Sequence, residues 1–278
     1  MDVSRWRVKP GQAPKLAGVD PASTPGAPGD KDEAKTAIAD LQDELADLQD
    51  RLWAEAKRSL LVVLQGMDAS GKDGTIKHVF AGVNPQGCAV TSFKAPSDEE
   101  LAHDFLWRIH RATPRAGTIG IFNRSHYEDV LVVRVHNLVP EKVWRPRYQA
   151  IADFEKHLSE SGTQIVKFWL HISPEEQKER FQARLQDPTK RWKFNPDDVG
   201  ERAHWHEYQA AAEEALQRTS TKAAPWYVVP ADRKWYRNWV VQSVLVDTLT
   251  RMKPRYPDAT VAEDIEIPDV PPASSGSA

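Results

Sequence analysis

Residues 60–80, LLVVLQGMDASGKDGTIKHVF, constrain the fold more than any other part of the chain. They open on Leu60-Leu61-Val62-Val63-Leu64, an apolar, β-branched run that reads as a strand buried on both faces. A turn of small residues follows, Gly66-Met67-Asp68-Ala69-Ser70-Gly71-Lys72-Asp73-Gly74, then a helical segment with Ile76, Val79 and Phe80 on one side. Strand, glycine turn and helix start, in that order, turn a Gly-x4-Gly-Lys string into a phosphate cradle. The glycines let backbone N–H groups point inward without Cβ clashes. Gly66, Ala69, Ser70, Gly71 and Gly74 are therefore candidate phosphate contacts. The helix N-terminus adds partial positive charge and Lys72 a full one. The competing interpretation is a plain strand–turn–helix connection.

The cradle departs from the usual form at two acids. Asp73 follows Lys72, where nucleotide-hydrolysing phosphate loops carry the Ser or Thr that binds magnesium. A second carboxylate, Asp68, lies inside the loop. Negative charge in a phosphate cradle is repulsive unless a divalent cation intervenes, so Asp68 reads as a metal or phosphate-acceptor ligand. Asp73 reads equally as a helper or as an acid favoured at a helix N-terminus by roughly 0.3–1 kcal/mol.

The 278 residues suffice for one large core or two small ones. No apolar run approaches the ~20 residues that span a bilayer, and Met1-Asp2-Val3-Ser4-Arg5 does not open a secretion signal. A single cysteine, Cys88, excludes an internal disulfide framework and a cysteine metal cluster. The expectation is a cytoplasmic protein without a membrane partner. A net charge of −3 argues against general nucleic-acid binding, so cations for a polyanion must be gathered locally.

Residues 1–30 lack periodicity and read as an extended or disordered arm. Ile38, Leu41, Leu45, Leu48 and Leu52 then mark an amphipathic helix that covers the sheet edge or pairs with a second subunit, in a dimer or tetramer. Further strands are expected at 88–93, 117–122, 164–172 and 226–229, with helices at 101–111, 130–136, 143–160, 173–185, 201–218 and 233–252. Strands alternating with helices specify a three-layer α/β/α domain over 31–255, with a mostly parallel five-stranded sheet. From Tyr256 to the end the chain is acidic and rich in Pro, Ser and Gly, and is expected to be disordered.

In such sheets ligands sit beyond the carboxyl ends of the strands. The third strand ends there in Asn123, Arg124, Glu128 and Asp129. Asn123 takes the position of an acidic metal ligand but is neutral, and Glu128 makes up the charge. Arg124 and Arg134 are candidate phosphate contacts from the same segment, against the alternative of solvated helix charges. Residues 187–199, DPTKRWKFNPDDV, gather Lys190, Arg191 and Lys193 in a proline-bounded insert. They read either as a lid that closes over phosphates or as a basic loop with Trp192 packed underneath. Arg180 and Arg184 reach the same site or line an exposed helix face. His171 reads as structural, and the sequence reveals no partner for His126.

Taken together, residues 66–74, the segment Phe122-Asn123-Arg124-Ser125-His126-Tyr127-Glu128-Asp129-Val130 and Lys190-Arg191-Trp192-Lys193-Phe194 resemble the Walker A, Walker B and lid motifs of family-2 polyphosphate kinases. The resemblance covers about residues 35–252 and includes residues 224–232. It implies a thymidylate-kinase-like P-loop kinase fold with a helical lid. The implied activity is magnesium-dependent transfer of the terminal phosphate of inorganic polyphosphate to a nucleotide, with manganese as an alternative ion. Asp68, Lys72, Arg124 and Arg191 match functional motif positions, and Asp68 with Glu128 is the implied metal pair. Asn123 stands where an aspartate is usual. With Glu128 it is similar to the subgroup that accepts both nucleoside mono- and diphosphates, so ADP, AMP and guanine nucleotides enter as acceptors. An ATP-dependent nucleoside monophosphate kinase is the alternative enzyme, and a nucleotide switch or binding module the alternative outside catalysis. The switch lacks an Asn-Lys-x-Asp string to read guanine.

Overall fold

The computed structural model describes residues 2–258, 267 and 270. The expected acidic tail falls largely outside the described residues, and so does the side chain of Lys193. Strands β1 (Ser59–Gln65), β2 (Cys88–Ser92), β3 (Ile119–Asn123), β4 (Thr163–His171) and β5 (Trp226–Pro230) form a five-stranded sheet in the order β2-β3-β1-β4-β5. Every pairing within it is parallel. The longer helices are α1 (Glu33–Glu55), α2 (Lys72–Val79), α3 (Arg147–Glu160), α4 (Pro174–Gln186), α5 (Trp205–Thr219) and α6 (Lys234–Met252).

The strand alternation divides the core in two. Leu60, Val62 and Leu64 of β1 pack with Leu45, Leu48 and Leu52 of α1 and with Trp239, Val240 and Val244 of α6. Leu61 and Val63 turn to the other face and meet Ile151, Phe154 and Leu158 of α3 and Ala212 and Leu216 of α5. A strand apolar at every position is what two covered faces require. The apolar stripe of α1 is consumed here, against α6 in the same chain, which removes the seam as an argument for pairing with a second subunit.

The arm at residues 2–30 is extended and packed. Val3, Trp6, Val8 and Leu16 are buried anchors, spaced too irregularly for a helix or strand pattern. Trp6 Nε1 donates to Tyr236 Oη at 3.0 Å, and the Val8 N–H donates to Trp226 O at 2.9 Å. An isolated antiparallel bridge between Arg7 and Tyr227 covers the β5 edge.

Two expected helices are broken. Within 101–111 the helix stops after Leu101 and restarts at Trp107, because Asp104 Oδ1 accepts the Leu106 N–H at 2.9 Å and competes with the helical bond. Within 143–160 the break falls at Pro146, which cannot donate, and α3 starts after it. Among the described residues no helix is long and apolar enough to cross a membrane.

Candidate active site

The chain leaves β1 into a loop that its glycines make possible. Gly66 has φ 151°, and a Cβ there would lie 2.7 Å from Leu170 O and 2.8 Å from Ser70 Oγ. Ala69 holds φ 60° without being glycine, a strain on the order of 1 kcal/mol that the surrounding contacts must hold. Much of that hold comes from α4. Arg180 Nη1 donates to Ala69 O at 2.8 Å and Ser70 O at 3.0 Å, and Gln177 Nε2 donates to Asp68 O at 2.8 Å. Arg180 is buried, so it is neither a surface cation nor a phosphate contact; it braces the loop from beneath.

Lys72 is 8% exposed and donates to Gly66 O at 2.8 Å and Met67 O at 3.3 Å. Burial, then the charge of Arg124, pushes its ammonium down to about 8, against the pull of Asp68, Glu128 and Asp73.

The end of β3 meets this loop. Arg124 has φ 62°, and its N–H donates to Leu64 O at 3.1 Å. Its Nη2 donates to Asp68 Oδ1 at 2.6 Å and its Nη1 lies 3.5 Å from Glu128 Oε2. Burial opposes the Arg124 charge, but Glu128, Asp68 and Asp198 more than offset it and raise its pKa. Asn123 Nδ2 donates to Asp73 Oδ1 at 2.8 Å. Gln65 Nε2 donates to Ser125 Oγ at 3.1 Å and ties the end of β1 to the same turn. Sequence reasoning thus placed Asp68, Lys72, Asp73, Asn123, Arg124 and Glu128 together, and the structure does so.

Arg134 goes elsewhere. Its Nη1 donates to Glu214 Oε2 at 2.6 Å and Tyr148 Oη at 3.2 Å, and its guanidinium lies 5.1 Å from the Trp144 ring centre. A carboxylate and two aromatic rings hold it in the chain without ligand. His126 and Tyr127 also turn inward. Both are fully buried on Glu155, at 3.2 and 2.7 Å, and Glu155 is paired with the buried Lys167. This network anchors the turn that presents Arg124 and Glu128.

In the insert, Arg191 Nε donates to Leu185 O at 2.8 Å, and Lys190 pairs with Asp187. Both cations therefore sit at the C-terminal end of α4, where the helix dipole favours them, and are not joined to the Lys72 cluster. Trp192 is 78% exposed, which contradicts packing underneath. The following turn does approach the loop. Asp198 has its pKa raised by burial and then by Asp68, and Arg202 Nη1 donates to Gln177 Oε1 at 2.6 Å. Sequence reasoning missed Asp198, Gln177 and Arg202, whose positions depend on how the insert folds back.

Beside this cluster, at the carboxyl end of β2, lies a cavity of about 490 Å³ lined by Ser92, Phe93, Lys94, Trp107, Arg108 and Arg111, among others. Ser92 Oγ accepts from Asn123 Nδ2 at 3.4 Å, so cavity and loop share a wall. Arg111 lies 4.7 Å from the Trp107 ring centre, and His103 stacks on Trp107 at 4.1 Å.

Comparison with known proteins bears on this geometry. The family model described as polyphosphate kinase 2 matches residues 29–257. An AMP/ADP-polyphosphate phosphotransferase of Meiothermus ruber is 51% identical over 262 residues, covering 94% of this chain and 98% of the relative. An ADP-polyphosphate phosphotransferase of Rhodopseudomonas palustris is 47% identical over 237 residues, covering 81% of this chain and 82% of its own length. A crystal structure of polyphosphate kinase 2 from Arthrobacter aurescens superposes with a TM-score of 0.89 at 48% identity, covering 93% of this chain and 92% of that one.

Proposed function

The chain belongs to the polyphosphate kinase 2 family, and on that premise we propose that it transfers the terminal phosphoryl group of inorganic polyphosphate to AMP and ADP. The observation that carries the reading is the loop itself, where an acid, Asp68, stands among the cations Lys72 and Arg124. A phosphate oxygen of the nucleotide attacks the terminal phosphorus of the chain. The bond to the bridging oxygen breaks, the nucleotide gains one phosphate, and the polyphosphate leaves one unit shorter; the reaction runs in reverse by the same path. No covalent enzyme intermediate is needed, because positioning and charge neutralisation do the work.

Lys72, Arg124 and the backbone N–H groups of residues 66–74 hold the donor. Asp68 orients the attacking oxygen. The acceptor lies toward the cavity at the end of β2, where Lys94 and Arg111 offer cations and Trp107 an aromatic surface. Guanine nucleotides are kept as further candidate acceptors, on the likeness of Asn123 and Glu128 to the subgroup that takes both mono- and diphosphates. Arg191, with Lys190 and Lys193, is assigned to a lid that leaves the end of α4 to meet the phosphates.

The residues present fit magnesium. Asp68 and Glu128 offer hard carboxylate oxygens on the two sides of Arg124. Among the described residues no group of three or more His, Cys, Asp or Glu could hold an ion. One or two carboxylates completed by substrate phosphates is how magnesium is commonly held, and manganese takes the same oxygen donors. When bound, the ion supplies charge neutralisation between donor and acceptor oxygens.

The test is purified protein with magnesium and AMP or ADP, supplied with polyphosphate or with ATP as donor. Formation of ADP and ATP from polyphosphate is the expected result. Transfer from ATP to AMP with none from polyphosphate would replace this reading with an ATP-dependent monophosphate kinase.

A further inference from the structure

Two arginines lie beneath the phosphate loop, and only one of them has an acid. Arg180 pairs with Glu176 at 2.7 Å and gives its other N–H groups to the carbonyls of Ala69, Ser70, Ala231 and Asp232. Arg237, on α6, is 2% exposed. Its Nε and Nη2 donate to Asn238 Oδ1 at 3.2 and 2.9 Å, and its Nη1 reaches Ser70 O at 3.4 Å. Among the described residues no carboxylate forms an ion pair with it.

The guanidinium is pressed against the part of the loop where phosphate is expected. A Cβ on Gly71 would lie 1.9 Å from Arg237 Nη1, and one on Gly74 would lie 3.3 Å from Nη2. Gly71 caps α2 and Gly74 is in its first turn. Hydrogen bonding does not explain why a cation is kept here. Ser70 O already accepts from Arg180, and Asn238 is only partly buried, so water can satisfy it. A buried charge without a counter-charge is destabilising, and an apolar side chain of similar volume is commonly better tolerated. Burial, and then the charge of Arg180, pushes Arg237 down to about 9.

We propose that Arg237 is an electrostatic positioning residue of the donor site, a buried cation set behind the loop whose counter-charge is the polyphosphate chain on the other side of the backbone. The inference rests on polyphosphate being the donor. It predicts an inversion of sign: removing the charge helps the protein without ligand and harms its hold on the polyanion.

The experiment compares wild type with Arg237→Met and Arg237→Lys, using linear tripolyphosphate as probe in thermal melts and polyphosphate in steady-state kinetics. Arg237→Met is expected to melt at or above wild type without ligand and to lose most of the tripolyphosphate-induced rise in Tm. Its KM for polyphosphate should increase about tenfold, while the KM for nucleotide stays within about twofold. Arg237→Lys, which restores a cation that the same burial weakens, should recover part of the affinity. A merely structural arginine gives the opposite pattern, a lower Tm without ligand and an unchanged tripolyphosphate response, and that result would overturn the proposal. If wild type itself is not stabilised by tripolyphosphate, the donor reading fails and this inference with it. If wild type responds and Arg237→Met responds equally, this inference alone fails.

Discussion

Replacing Asp68 by Asn separates a catalytic carboxylate from a structural one, because the structure allows both costs to be sized. Asp68 Oδ1 is 2.6 Å from Arg124 Nη2, with the two side chains 22% and 38% exposed. Two unit charges about 4 Å apart interact by about 4 kcal/mol at an effective dielectric of 20. Exposure of the arginine reduces that toward the ~1 kcal/mol found for accessible pairs. Asn keeps an acceptor oxygen and Arg124 keeps Glu128, so we expect about 1 kcal/mol of lost stability, a fall of roughly 2–4 °C in Tm. The rate should suffer far more. Losing one preorganised charge in the site costs on the order of 10²–10³ in kcat. Asp73 supplies the control. It lies in the first turn of α2 and accepts from Asn123, so Asp73→Asn should lose about 0.3–1 kcal/mol of dipole stabilisation and less than about tenfold in kcat. The assay is steady-state ATP formation from ADP and polyphosphate, beside thermal melts of each variant. Equal, mild losses of kcat in both variants would refute the assignment of Asp68.

Two further outcomes are expected. Arg191→Ala should lower kcat by about 10³ or less with little change in the KM for nucleotide, since Lys190 and Lys193 remain; Arg191→Lys should recover only part, because a point charge cannot make a bidentate phosphate contact. An unchanged kcat for Arg191→Ala would leave the insert an ordinary basic loop. Lys72, held at about 8 against an ordinary 10.5, is disfavoured as a cation in the folded chain, so stability without ligand should rise by up to about 3 kcal/mol as pH climbs from 8 toward 10.5. The KM for polyphosphate should stay flat below pH 8 and increase up to tenfold per unit above it, and Lys72→Arg should abolish that rise. A wild-type KM flat to pH 9.5 would show that Lys72 keeps its proton.

Most of the sheet was legible because its strands carry apolar runs bounded by turn residues, as in Gln164–Ile172, where the structure places β4 at Thr163–His171. The helix breaks at Asp104 and Pro146 were visible as residue types, but their dominance over an apolar stripe was not. The arm was harder. Its anchors Trp6 and Leu16 contact α6 and α5 residues more than 190 positions away, beyond any local pattern. The site divides in the same manner. Asp68, Lys72 and Arg124 are fixed by the strand ends that carry them. Arg134 is two turns farther on, where the helix phase after the 3-10 turn at His126–Asp129 decides its direction, and that phase sends it to Glu214. Arg237 left one trace in the sequence, a cation between Tyr236 and Trp239 on a helix otherwise apolar on that side.

On the proposed function, Arg124 is the side chain that would change partners when the donor binds. The carboxylates that hold its charge, Asp68 and Glu128, are those assigned to magnesium, and they cannot serve a guanidinium and a divalent ion equally well at the same distance. A polyphosphate chain would resolve the conflict, since phosphate oxygens offer Arg124 a bidentate partner in place of the carboxylates. The backbone of Arg124 is held at φ 62° by its N–H bond to Leu64 O, and its neighbour Ser125 is tied to Gln65. On the proposed function, donor binding would release the acids through this one arginine.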